Sequence, residues 1–577
     1  MTKNCSVVDE FISFCLRECV SWNEANVLLQ ATCGVAEFCT SQQDFQELLQ
    51  GKFLCETEKD RSEYGDFQTN ENLSDTVVEH LARKGVSPQV IVEPTCGKGN
   101  FILAALRGFR NVRLVLGIEI HKPYVKQTKY KILHYFLSHP EHTYRPEIHI
   151  LQENIFSFDF SSWLFKIKSY RLLIIGNPPW VTNSALGAKV SENLPTKRNI
   201  KKLRGIEAIT GKGNFDIAES VLLQLMVQFG HVEGYVAFLI KNSVIKTLIF
   251  DQYKTQLPIG EMEKHAIDSK KEFGVSVGAS LFLCRLNTIP EMQCKEYDFY
   301  SSEYRKSFGW NKGRFVSDKA KAEAGAVLDG VSPLEWRQGV KHDCSKVMDL
   351  VRLGNGLFKN KLGEVFTLEE DRVFDLLKSS DLKEKVARYS GHCTIITQDY
   401  VGQNTDFLSA YPNTRKYLQQ KRMFFRNRKS VIYKNNPEFS IFGIGNYSFS
   451  NYKVDVSGPY KTYHFTYVPL IEGKPVMLDD TCYFLGFDEQ TPAVFTWIIL
   501  NAPITRDFLS SITFPDDKRM ITKEVLMRID LHALANVLSA DYILYRLDQF
   551  NMQYGTQISF REWEVYGNWL KTKQNKQ

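Results

Sequence analysis

At 577 residues, 43% of them apolar, the chain is too long for one ordinary domain and rich enough to bury more than one core. Its net charge of +6 is too mild for composition alone to point to nucleic acid, so what matters is where the cations sit. The 12 cysteines lack paired metal spacing, the N-terminus has early acids (Asp9, Glu10) and no long apolar core, and the longest apolar runs, such as Ala493 to Leu500, are too short to span a bilayer. Free thiols in a reducing cytoplasm, with no secretory signal and no membrane, are the expectation.

Residues 1–62 read as a helical segment, with Val8, Phe11, Ile12, Cys15 and Leu16 on one face. A polar loop carrying Gly65, Phe67 and Thr69 leads to a helix expected from about Ser74 to Lys84. The apolar run Val90-Ile91-Val92 ends in Glu93 and opens into Pro94-Thr95-Cys96-Gly97-Lys98-Gly99, before a helix starting near Phe101. Glycines there let backbone approach a ligand closely, and the helix start offers free N–H groups. A second strand, Val112 to Glu119, ends in a carboxylate roughly twenty residues on, the spacing of an acid that holds ribose hydroxyls. Ile148 to Phe156 reads as a third strand and its exit, with Asn154 beside Glu153.

The run Leu172 to Gly176 reads as a buried strand that ends in Asn177-Pro178-Pro179-Trp180. Two prolines fix φ, remove two N–H donors and push each preceding residue out of the helical region. A stiff extended loop results, with an amide at its start and an indole at its end. Asn177 Oδ1 and the Pro178 carbonyl suit the two hydrogens of an exocyclic amino group, and Trp180 suits the face of the ring that bears it. Beyond it come a cationic stretch (Lys197, Arg198, Lys201, Lys202), a helix opening at Phe215-Asp216 and running to about Phe229, a strand from Tyr235 to Lys241, and a last strand pair from Gly274 to Leu286. Residues 291–335, rich in Lys, Ala and Gly over their second half, read as a linker. Residues 336–577 read as a second, mixed domain with short β pieces (Phe439 to Ile444, Tyr447 to Val456, Tyr463 to Val468, Cys482 to Phe487) and an acid-free basic run that includes Arg422, Arg426, Arg428 and Lys429. Such runs are usually solvated faces; here they are candidate phosphate contacts.

This ordered series resembles the S-adenosylmethionine-dependent amino-methyltransferases of DNA, specifically the N6-adenine type of restriction-modification systems, over about Glu63 to His532. The resemblance implies an α/β fold: a Rossmann-like class I methyltransferase domain over 63–290, with a mostly parallel sheet and helices on both faces, plus a C-terminal mixed α/β target recognition domain. It implies a catalytic loop Asn177, Pro178, Pro179, Trp180, and a cofactor site of Thr69, Glu93, Pro94, Cys96, Gly97, Gly99, Phe101, Glu119, Asn154, Phe156 and Asn177. It implies S-adenosylmethionine as cofactor, no metal, double-stranded DNA as partner, and a companion restriction endonuclease. Two departures stand out: Asn70 where proline is common, and Asn154 where the family carries an aspartate. An RNA or protein-glutamine N-methyltransferase with the same loop remains an alternative, as does a non-catalytic DNA-binding specificity protein. His342-Asp343-Cys344 is set aside as a thiol nucleophile, because adjacent side chains point apart. Asp479-Asp480 and Asp516-Asp517-Lys518 lack the spacing of a nuclease centre.

Overall fold

The structure is a computed structural model; it describes residues 7–54, 68–180, 216–382, 387, 389, 391–459, 462–517 and 519–575. The chain forms two units, Met1–Phe315 and Val316–Gln577.

Unit 1 is built on a ten-stranded sheet. Its first strands, β1 (Val90–Glu93), β2 (Leu114–Glu119), β3 (Glu147–Gln152) and β4 (Leu172–Gly176), are all parallel to their neighbours, as is β5 (Gly234–Lys241) to β4. β1, β2 and β4 are buried at every position, which is why their sequences are continuous apolar runs rather than alternations. β6 (Ile259–Ile267) and β7 (Ala279–Leu286) follow, and β7 runs antiparallel to both β5 and β6. The order is β3-β2-β1-β4-β5-β7-β6, continued by β8 (Gln293–Asp298), β9 (Tyr304–Asn311) and β10 (Arg314–Val316). Here the structure departs from the sequence reading: much of the segment expected as a linker is three strands of the main sheet. Their half-exposed, mixed-charge faces give no long apolar run to mark them.

Helices α4 (Glu71–Arg83), α5 (Asn100–Gly108) and α6 (Lys122–Ser138) pack in the same apolar core as the sheet. So do α1 (Val7–Phe14), α2 (Trp22–Cys33) and α3 (Gln42–Leu49), through Val8, Ile12, Leu29 and Phe45. Over its described residues, 7–54, the N-terminal segment is largely helical and packed into unit 1. α6 tethers it: Lys122 and Lys126 reach Asp44 at 3.1 and 2.9 Å, and buried Lys129 donates to the carbonyls of Glu37 and Phe38 at 2.7 and 3.2 Å. Ala36 N–H donates to Ile148 O and Ile148 N–H to Gly34 O, at 2.8 and 2.9 Å, so this segment pairs with the outer side of β3.

Unit 2 holds a four-stranded sheet, ordered Arg337–Gln338, Cys482–Phe487, Tyr452–Ser457, Thr466–Val468, and a six-stranded sheet beginning with Val365–Thr367 and ending with Met477–Leu478. Helices Gln490–Leu500, Pro503–Ile512, Ala540–Tyr554 and Glu562–Gln574 share an apolar core with the first sheet. Of the β pieces expected here, Cys482–Phe487 has its expected bounds and two others are shorter; Phe439 to Ile444 forms only a bridge, Lys341 to Phe442.

Candidate active site

The chain runs outward from β1 to β2 and β3, then returns to place β4 on the other side of β1. Loops leaving β1 and β4 therefore diverge at their carboxyl ends and open a crevice, the usual ligand position in such sheets. A cavity of about 940 Å³, counting its open mouth, lies there.

The first wall is the loop after β1. Gly97 and Gly99 both take left-handed backbone, φ +49° and +73°. A Cβ on Gly97 would stand 2.7 Å from Gln68 Oε1, and one on Gly99 2.5 Å from Thr128 Cγ2, so both positions admit only glycine without displacement. Thr128 Oγ1 donates to Gly97 O at 3.0 Å and Asn100 Nδ2 to Thr69 O at 2.6 Å, which fixes this loop against the residues before α4.

Two carboxylates face the cavity. Glu119, at the end of β2, accepts the N–H of Gly97 at 2.9 Å and of His121 at 2.8 Å. Glu93 is 3% exposed, and its Oε2 has no hydrogen-bond partner among the described residues. Burial, with a smaller contribution from the nearby Glu119 charge, holds its carboxyl well above the usual range; the Ile102 N–H works the other way. A buried carboxylate with an open oxygen is costly unless a cation or donor completes it. The site is therefore chemically fitted to an ammonium-bearing ligand.

The loop after β4 supplies the opposite wall through Asn177, Pro178 and Pro179. Asn177 Nδ2 donates to Thr69 Oγ1 at 3.2 Å, which orients the amide. Of the other expected cofactor residues, Pro94, Cys96, Phe101 and Asn154 line the cavity. Asn154 Oδ1 already accepts the N–H of Phe156 at 3.0 Å, so the amide also builds its own turn. Phe156 is not on the wall; its neighbour Ile155 is, together with Ile217 from the helix Ile217–Phe229. His121, which precedes α6, and Tyr124, in its first turn, complete the side beyond Glu119. Sequence reading missed these four; the lining of His121 and Tyr124 follows from their place just past the strand that ends in Glu119. Asp216 lies at the start of that helix, where it accepts the Ala218 N–H at 3.1 Å and pairs with Lys241 at 2.5 Å.

Trp180 differs from expectation. It is 6% exposed, donates Nε1–H to Leu239 O at 3.2 Å and meets Phe273 edge-on at 5.0 Å between centroids. The indole anchors the loop in the core of unit 1 instead of offering a stacking face to the cavity, because an aromatic at the end of a buried strand has core to fill.

The expected phosphate contacts divide. Lys197, Arg198, Lys201 and Lys202 lie outside the described residues, as does Phe215 of the expected helix opening. Arg422 and Arg426 both bind Glu438, each at 2.8 Å. Arg428 is structural: its guanidinium stands 3.6 Å from the Tyr433 ring centroid and donates to the carbonyls of Phe425, His342, Ser440 and Glu438. Lys429 is exposed.

A parallel core ordered 3-2-1-4-5, closed by an antiparallel seventh strand beside the fifth, with an acid-lined crevice at the reversal of strand order, defines a class I methyltransferase fold. No family model matches the chain. A type II methyltransferase of Nostoc sp., M.NspV, is 38% identical over 484 residues, covering 83% of this chain and 99% of the relative. The chain belongs to this family of type II methyltransferases. Among solved structures, the type IIL restriction-modification enzyme MmeI, determined in complex with DNA, superposes with a TM-score of 0.54 at 11% identity, over 93% of this chain and 80% of MmeI, a likeness of fold. Among the described residues no helix is long and apolar enough to cross a membrane.

Proposed function

We propose that this methyltransferase carries a methyl group from S-adenosylmethionine to the N6 amino group of an adenine swung out of duplex DNA, as the modification component of a restriction-modification system. The observation that carries the reading is the meeting, on one cavity, of the open buried carboxylate of Glu93 with Asn177 and Pro178. When bound, S-adenosylmethionine supplies an electrophilic methyl group on a sulfonium. Glu93 holds the ammonium of its amino-acid end, and the pairing relieves the burial that raises the carboxyl. Glu119, fixed by two backbone N–H groups, accepts from the ribose diol with its remaining lone pairs. Ile155 and Ile217 give the purine an apolar slot.

The amino group of adenine is a weak nucleophile because its lone pair is delocalised into the ring. Asn177 Oδ1 and the Pro178 carbonyl accept its two hydrogens, draw the nitrogen toward tetrahedral geometry and stabilise the positive charge that grows on it. Taking the base out of the stack costs a few kcal/mol. Once the base is seated, methyl transfer needs mainly placement and no covalent enzyme intermediate.

The test is transfer of labelled methyl groups to unmethylated duplex DNA, RNA and protein, with mass spectrometry of the products. N6-methyladenine in DNA is the expected product; N4-methylcytosine, or label on RNA or protein alone, overturns the reading. Asn177→Ala should lower the rate about 100-fold or more, as for other lost transition-state acceptors and donors, with donor affinity changed only a few-fold. Full activity in that variant removes Asn177 from the chemistry.

A further inference from the structure

Unit 2 contains a second cleft, larger than the donor cavity: about 1600 Å³ counted with its open mouth. One wall is the segment Val340 to Asp349 and the other is Met423 to Ser430, with Lys378 and Asp479-Asp480 also lining it. The first wall is stiff. Asp343 takes left-handed backbone, φ +50°, and the N–H of Cys344 donates to His342 Nδ1 at 3.0 Å. That bond makes Nε2 the protonated nitrogen, and it stands 3.0 Å from Asp349 Oδ1. Asp349 is 5% exposed and also takes the ammoniums of Lys361, at 2.7 Å, and Lys378. Arg428 ties the walls together, since it donates to His342 on one and Phe425 on the other.

The cleft lining has equal numbers of acids and bases, but they are not equally engaged. Asp349 is surrounded by cations, Asp343 and Asp480 each lie 3.5 Å from Lys341, and Asp479 accepts the Thr481 N–H at 3.0 Å. Arg428 and Lys378 are likewise committed. Lys346 and Lys429, one on each wall, are exposed and form no ion pair among the described residues. Asn427, on the same wall as Lys429, is exposed, and its amide makes no hydrogen bond among the described residues. Met423 and Phe424, 60% and 37% exposed, give the rim an apolar edge.

Two unneutralised ammoniums facing across an open cleft suit a chain of regularly spaced anions. An idle amide and an apolar rim beside them suit flat, hydrogen-bonding rings. We propose that this cleft is where unit 2 reads its DNA site: Lys346 and Lys429 hold phosphates, and Asn427, whose amide can bridge two atoms of an adenine edge, determines sequence preference. The inference rests on the reading of DNA as acceptor.

Its test uses the full-length protein. Lys346→Gln with Lys429→Gln should weaken duplex binding about tenfold near physiological salt and lower the slope of log K against log salt by about 2. Donor binding should not change. Arg422→Gln with Arg426→Gln, equal in charge but already spent on Glu438, is the comparison and should leave most of the slope in place. Asn427→Ala should keep the slope and alter which sequences are methylated in a randomised duplex library. A wild-type slope in the lysine double variant overturns the phosphate assignment, and an unaltered methylation profile in Asn427→Ala overturns the reading role. A wild-type protein that binds duplex DNA through these lysines yet methylates none of it sinks the acceptor assignment instead of the cleft. Tighter lysine-dependent binding to RNA than to duplex DNA overturns the proposal.

Discussion

Glu93 and Arg428 show how burial and partners, more than charge alone, decide what a residue does. Glu93 is buried with an oxygen to spare, so replacing it by Gln removes a carboxyl that is costly to ionise in the empty protein and a counter-charge from the filled one. Glu93→Gln should leave the thermal midpoint unchanged or higher, while donor affinity drops by roughly 1.5–3 kcal/mol, the scale of a charge-assisted hydrogen bond. Calorimetric titration beside thermal unfolding separates the two. Acidification should weaken donor binding too, since protonating the raised Glu93 carboxyl removes the same charge. Arg428 spends its donors on four carbonyls and its face on Tyr433. Arg428→Ala should cost about 2–4 kcal/mol of unit 2 stability, against under about 1 kcal/mol for the exposed Arg426→Ala. Denaturant unfolding reads both, and equal costs would mean that Arg428 is not a keystone of its unit. Both arginines belong to one basic run of the sequence, and nothing in that run tells the buried one from the exposed one.

Helix α4 and strand β6 meet through two buried histidines, His80 and His265, with ring centroids 4.4 Å apart. Burial, then the charges of His265, Lys84 and Arg83, push His80 down to about 4. An unfolded histidine titrates near 6.5, so between those values the unfolded chain takes up a proton that the folded one refuses. Stability should therefore fall as pH drops through that window, by on the order of 2–3 kcal/mol, and His80→Leu should flatten the profile there. Glu263, bound to His265 at 2.9 Å and Lys84 at 2.7 Å and held down to about 2, loses its contribution only at lower pH. At the glycine turn, Gly99→Ala should cost about 1–3 kcal/mol in backbone strain and crowding against Thr128 and weaken donor binding with it. Elements of this kind were legible because their signals are local: an apolar run, a glycine turn, an acid at a strand end. Strands β8 to β10 were not, since their faces are mixed and β8 joins the sheet beside β6, past its immediate predecessor β7. Phe156 and Ile155 differ by one position, and exit turns leave such a register open. Trp180 carried no mark that distinguishes a packed indole from a stacking one.

For the whole molecule, the sequence reading expected a catalytic domain over residues 63–290 and a recognition domain over 336–577, and it placed the junction between them by texture. The structure divides the chain near Val316, after the main sheet has taken in the expected linker. Donor binding should slow hydrogen exchange at the carboxyl ends of β1 and β2 and at the start of α5, which line the cavity, and leave the strands Tyr452–Ser457 and Cys482–Phe487 of unit 2 unaltered. Protection appearing equally in both units would contradict a donor site confined to unit 1. The pairing of Gly34 and Ala36 with Ile148 has a consequence beyond the site. An edge strand with bare amides is a template for another chain. By lying along β3, the N-terminal segment shields that edge, so a protein starting past residue 40 should self-associate through it, as light scattering would register.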